Sequence, residues 1–147
     1  MKIYLDTSVY NRPFDDQTQV KIFLETQASI SIFQLIAEQT IELINSPVLE
    51  RENQRNLSTI RQNFMQTYLD NAPIYQSLTP IIIERARQLQ NQGLKNFDAL
   101  HVASAEAAQS DYFLTCDRRL INRCKTLTLK VINPVDYILE IEDENIE

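Results

Sequence analysis

Apolar and polar positions change their period repeatedly along the chain, and short apolar runs alternate with longer helical stretches. Residues 2–5 alternate weakly and stop at Asp6, which predicts a short buried strand with a carboxylate at its C-terminal tip. Asn11, Pro13 and the Asp15–Asp16 pair mark a turn, and either aspartate is a plausible helix cap. Apolar spacing resumes through Val20, Phe23 and Leu24, and a helix is expected over about 28–38. Thr40–Asn45 is rich enough in β-branched residues for a second strand. Ser46-Pro47 reads as a hydroxyl cap followed by proline at the first helical position, opening a helix to about 55. Ser58 opens another to about 69, and Thr79-Pro80 starts a long helix that ends near Gly93, the sole glycine. Asn96 is expected to cap an alanine-rich helix over about 97–109. Strands follow at 112–115 and 127–132, separated by a short basic helix near 117–124. Pro134 starts a last turn before an acidic tail. Helices separating short apolar strands predict a single α/β domain over residues 1–139, with a mainly parallel sheet, and a tail over 140–147.

Composition narrows the chemistry. One glycine and one histidine exclude a Walker loop, a dinucleotide fingerprint and an HExxH zinc site. Two cysteines, Cys116 and Cys124, are too few for a disulfide framework and read as cytoplasmic thiols. The N-terminus has too short an apolar stretch for a secretory leader. No apolar run reaches about 18 residues, so no membrane association is expected. A net charge of -6 argues against a nucleic-acid protein until its placement is examined.

In a parallel sheet, ligands bind outside the carboxyl ends of the strands. Asp6 follows the first strand, and Asp117 closely follows the third in YFLTCD. Asp98 opens the alanine-rich helix in NFDALHVASAEAAQ, and Glu52 lies on the helix after the second strand. Four acids on four elements can converge at one sheet edge, where they repel one another unless a hard cation joins them. Thr7 and Ser8 can donate to a carboxylate, a metal-bound water or a phosphate oxygen, or simply cap a turn. His101, one turn beyond Asp98, is either a structural histidine or a contact to substrate or water.

Together these strings resemble the PIN-domain nucleases, and especially the VapC-like toxins of type II toxin–antitoxin pairs. The resembling residues are LDTSV with Asp6, SPVLERE ending in Glu52, FDALHVASA beginning near Asp98, and LTCDRRL with Asp117. The resemblance implies a three-layer α/β/α sandwich with four to five short strands. It also implies a ribonuclease that uses Mg²⁺ or Mn²⁺. Asp6, Glu52, Asp98 and Asp117 fall on the family's acidic quartet, with Glu50 a competitor for the second place, and Thr115 matches a supporting polar position. Where some relatives carry a further acid, this chain has Arg118 and Arg119. A cognate antitoxin and a homodimer are the implied partners. The apolar pattern of 20–38, including Phe23, Ile32, Phe33 and Ile36, serves either the core or such a contact. A HAD-type phosphatase also starts with a strand ending in Asp, but it needs a second Asp where Ser8 stands. A non-catalytic interaction module and a DNA nuclease are the remaining alternatives.

The charge objection dissolves on inspection. Residues 140–147 hold five acids and no base, so residues 1–139 carry 14 bases against 15 acids, a net of -1. Without the four proposed ligands, that body is +3. Arg118, Arg119, Arg123 and Lys125 lie beside Asp117, and Arg12 follows the Asp6 loop; all five are candidate RNA phosphate contacts. Arg51 and Arg55 share a helix face that can serve the same groove.

Overall fold

A computed structural model describes residues 1–146; the last residue of the expected tail, Glu147, lies outside them. Five strands form one sheet in the order β3-β2-β1-β4-β5: β1 (Lys2–Leu5), β2 (Glu42–Asn45), β3 (Ile74–Tyr75), β4 (Tyr112–Leu114) and β5 (Lys130–Ile132). Every pairing is parallel, with Ile3 opposite both Leu43 and Tyr112. Among the described residues there are eight α-helices, α1 (Thr7–Asn11), α2 (Val20–Ala37), α3 (Pro47–Gln54), α4 (Thr59–Asn71), α5 (Pro80–Asn91), α6 (Asn96–Ala107), α7 (Arg118–Arg123) and α8 (Pro134–Ile146), and a 3-10 turn at Arg12–Phe14. They complete the expected α/β/α sandwich, in which α5 packs on α6 and α2 on α8.

The central strand explains the core. Ile3, Tyr4 and Leu5 of β1 are all fully buried, as a parallel strand covered on both faces requires. Tyr10, Phe33, Phe64 and Tyr68 join α1, α2 and α4 in one aromatic cluster, with ring centroids 4.8–6.2 Å apart. Ser46, Ser58 and Thr79 cap α3, α4 and α5 through their hydroxyls, each accepting a backbone N–H, as their sequence contexts predict. Gly93, at φ +107°, ends α5 in the left-handed region that the sole glycine accommodates.

Several boundaries differ from expectation. Residues 20–37 form one continuous helix of 18 residues, where a separate helix over about 28–38 is expected, and β3 went unforeseen. Neither Asp15 nor Asp16 caps α2; Asp16 binds Thr18, and Asp15 pairs with Arg12 and Arg61. Asn96 is the first residue of α6, and Lys95 precedes it with no side-chain cap. Pro134 opens a 13-residue helix rather than a single turn, so the acids of the expected tail continue α8 as far as Ile146. Helix α2 is also long and apolar enough to cross a membrane by length and composition, which overturns the expectation that no segment reaches that size. Within this fold it packs on α8 and buries Glu25, Thr26 and Ser29 on its inner face.

Candidate metal centre

The C-terminal edge of the sheet collects the acids because all its strands point the same way. Asp6 follows β1 and Asp117 follows β4, its neighbour across the point where the strand order reverses. The backbone N–H of Asp6 donates to Leu114 O at 2.9 Å, so β1–β4 pairing carries on into the site. Asp6 caps α1: its Oδ1 accepts the Thr7 N–H at 2.8 Å. Its Oδ2 accepts the hydroxyls of Ser8 at 2.9 Å and Thr115 at 2.7 Å. Those hydroxyls in turn accept the N–H groups of Cys116 and Asp117, at 3.0 and 3.1 Å. Ser8 and Thr115 thus clasp the two strand ends around Asp6.

Asp117 caps α7 with Oδ1, which accepts the N–H groups of Arg119 and Leu120. Glu52 comes from α3, where Oε1 accepts the Thr7 hydroxyl and lies 3.1 Å from His101 Nε2. Glu50 turns elsewhere, toward Asn45 and Gln66. Asp6, Glu52 and His101 each offer a ligand atom within 4.8 Å of the others, a cluster able to hold a metal ion.

The carboxyls feel one another. Burial pushes Asp6 above its ordinary range, while the Thr115 and Ser8 hydroxyls pull the other way. Asp98 is also raised, by burial first and then by the charges of Asp6, Asp117 and Glu52. Glu52 is lowered: burial works against its charge, but the hydrogen bonds of His101 and the Thr7 hydroxyl outweigh that. Asp6 and Glu52 therefore lie in the close cluster with the three predicted hydroxyls, whereas Asp98 and Asp117 lie outside that group and are linked to it through their charges.

A family model of the PIN domain matches residues 3–125. The chain belongs to the PIN-domain family. Two solved structures carry the same fold. FitAcB from Neisseria gonorrhoeae aligns with a TM-score of 0.57 and 15% identity, over 90% of this chain and 97% of that one. VapBC2 from Rickettsia felis, bound to a DNA fragment from its promoter, aligns with a TM-score of 0.60 and 15% identity, over 90% and 98%. Comparison with the curated proteins finds no match.

The basic candidates of this PIN domain separate into two groups. Arg118 and Lys125 line an open groove of about 550 Å³ together with Lys21 from α2 and the acids Glu25 and Asp136, and none of the four predicted acids lines it; Arg119 and Arg123 are exposed on α7. Arg12 departs from expectation. Its Nε and Nη1 donate to Glu25 and Asp15, both at 2.9 Å, because the buried Glu25 carboxylate needs a cation. Arg55 lies over the Phe97 ring, 5.1 Å from its centroid and one residue from Asp98. Cys116 and Cys124 are free and buried, their thiols pushed up to about 12 and about 11 by burial. Sequence reasoning missed Tyr4, whose hydroxyl reaches both Ser46 and His101. Its one signal was a strand tyrosine directly before the Leu5–Asp6 tip.

Proposed function

We propose that this PIN domain is a metal-dependent endoribonuclease that hydrolyses RNA phosphodiester bonds, and that it is the toxin of a toxin–antitoxin pair. The observation that carries this reading is the gathering of Asp6 and Glu52 within 4.8 Å at the strand tips, with Asp98 near enough for their charges and that of Asp117 to disfavour its ionised form. The donor set suits Mg²⁺ or Mn²⁺: the four acids are hard oxygen ligands, and both ring nitrogens of His101 already have hydrogen-bond partners. When bound, such an ion supplies an acidified water and neutralises charge on the phosphate.

The chain's own residues supply placement. The Ser8–Thr115 clasp fixes Asp6 at the centre, Thr7 orients Glu52, and Asp117 is held by its role as a helix cap. Arg118, Arg119, Arg123 and Lys125 hold phosphates on the Asp117 side. Exposed Val20, Phe23 and Leu24 on α2 support contact with a small antitoxin or a second copy of the chain, whereas Ile32 and Phe33 belong to the core. The family resemblance supports a cytoplasmic activity away from membranes.

The test is cleavage of single-stranded RNA and matched DNA with Mg²⁺, Mn²⁺ or EDTA. Cleavage of RNA that needs the cation and is lost in Asp6→Asn and Asp98→Asn is expected. Activity that survives both substitutions sinks the proposal, cleavage of DNA alone reassigns the substrate, and no cleavage favours an interaction module. Growth arrest rescued by the neighbouring gene tests the toxin assignment.

A further inference from the structure

The chain has one histidine, and the four-carboxylate site leaves its purpose unexplained. His101 is fully buried on α6, as are Tyr4 on β1 and Ser46 at the start of α3. His101 Nδ1 lies 2.6 Å from Tyr4 Oη, which lies 2.8 Å from Ser46 Oγ. Ser46 Oγ already accepts the N–H of Leu49 at 3.2 Å as the cap of α3. On its other side, His101 Nε2 faces Glu52 Oε1 at 3.1 Å.

Counting protons fixes the direction of this chain. A hydroxyl has one proton to give, and all three residues are fully buried from solvent. Ser46 has Tyr4 as its only acceptor among the described residues, so its proton goes to Tyr4 Oη. Tyr4 then gives its own proton to Nδ1, and the ring carries its proton on Nε2, aimed at Glu52. The opposite direction leaves the Ser46 proton without an acceptor in the core, which buried polar groups avoid. With a neutral ring it also points a lone pair at a carboxylate.

We infer that His101 is a positioning residue rather than a metal ligand: a one-way hydrogen-bond chain from the α3 cap through Tyr4 ends in an Nε2–H that holds Glu52. Two donors, Thr7 and His101, then occupy Oε1, and Oε2 has no donor among the described residues and is left for a cation. The inference rests on the proposed metal site, but its geometry is testable without catalysis.

Because His101 is the only histidine, its ring nitrogens are unambiguous in long-range ¹H–¹⁵N spectra of the full chain. The expected result is a protonated Nε2 and an unprotonated Nδ1, unchanged when Mg²⁺ is added. A proton on Nδ1, or an Nε2 signal that moves to a metal-bound position, overturns the inference. Mn²⁺ titration gives a second readout. His101→Leu should weaken Mn²⁺ binding about 10-fold or more, while His101→Gln, which keeps an N–H donor, retains most of it. Equal losses in the two variants also overturn it. If His101→Leu does not fold, the wild-type spectra decide alone. The expected tautomer in a chain that binds Mn²⁺ but cleaves no nucleic acid sinks the proposed function and leaves the positioning role standing.

Discussion

Asp98 sits at the start of α6 with three other carboxyls in its field, and no side chain among the described residues donates a hydrogen bond to it. Burial and the charges of Asp6, Asp117 and Glu52 favour its neutral form. A carboxyl whose folded pKa is raised stabilises the protein fully below its unfolded pKa, about 3.9, and that stabilisation is lost as pH rises through the folded value. Metal-free protein therefore gives up stability at Asp98, and similarly at Asp6, on passing from acid to neutral pH. Asp98→Asn should melt above wild type at pH 7 in EDTA, by about 2–4 °C for each kcal/mol of repulsion relieved. Mg²⁺ should cancel that advantage, as should a pH near about 4, where the carboxyl is already neutral. Scanning fluorimetry with and without the cation checks this, and a lower melting point at neutral pH in EDTA contradicts it. Asp6, Asp98 and Asp117 stand out in the sequence because each follows a strand tip or sits at a recognisable helix start, whereas Glu52, late in α3, is singled out by the family resemblance. The role of His101 was not, because its partners Tyr4 and Glu52 are 97 and 49 residues away.

Elements were legible where local chemistry punctuates the chain and obscure where the core inverts the usual pattern. Ser46-Pro47, Thr79-Pro80 and Gly93 mark their helix ends as physical chemistry demands. Helix α2 defeats the stripe argument, because it buries Glu25, Thr26 and Ser29 and exposes Val20, Phe23, Leu24 and Ile30. Strand β3 has two residues, too few for any alternation to register. The buried Glu25 explains the inversion: it joins Arg12 after α1, α2 itself, and Asn133 after β5. With its side chain 1% exposed, Glu25 depends on Arg12 as its cation. Arg12→Ala should therefore cost about 3–5 kcal/mol, measured by urea unfolding, since it strands a buried charge. Adding Glu25→Gln should recover part of that loss. RNA affinity of the folded Arg12→Ala protein should stay near wild type, as expected of a cation already committed to two carboxylates.

At the scale of the whole molecule, the net charge of -6 is divided between two poles. The parallel sheet sends every strand tip, and with it the candidate metal centre, to one edge, and the groove lined by Arg118 and Lys125 begins at Cys116, just after β4. Helix α8 returns from β5 to the other edge, where Glu140 accepts the Tyr112 hydroxyl at 2.7 Å and Lys130 Nζ at 3.2 Å, at the starts of β4 and β5. Glu142, Asp143 and Glu144 follow on the same helix, while Asp136 lines the groove at its beginning. Asp136 to Glu144 is eight residues, about 12 Å along a helix axis. The Debye length at physiological salt is about 8 Å, so the acids of that far pole are screened from RNA held beside Asp117. Neutralising them by Glu142→Gln, Asp143→Asn and Glu144→Gln together should change the Kd for a short single-stranded RNA less than about twofold at physiological salt. Removing the near cations by Arg118→Ala with Lys125→Ala should weaken binding and lower the salt slope by about 1.4, at about 0.7 for each phosphate that is no longer neutralised. Fluorescence anisotropy across a salt series, in an Asp98→Asn background to prevent cleavage, separates the two variants. Tighter binding in the tail variant, matched by an unchanged slope in the cation variant, would mean that RNA lies along α8 rather than in the groove at the strand tips.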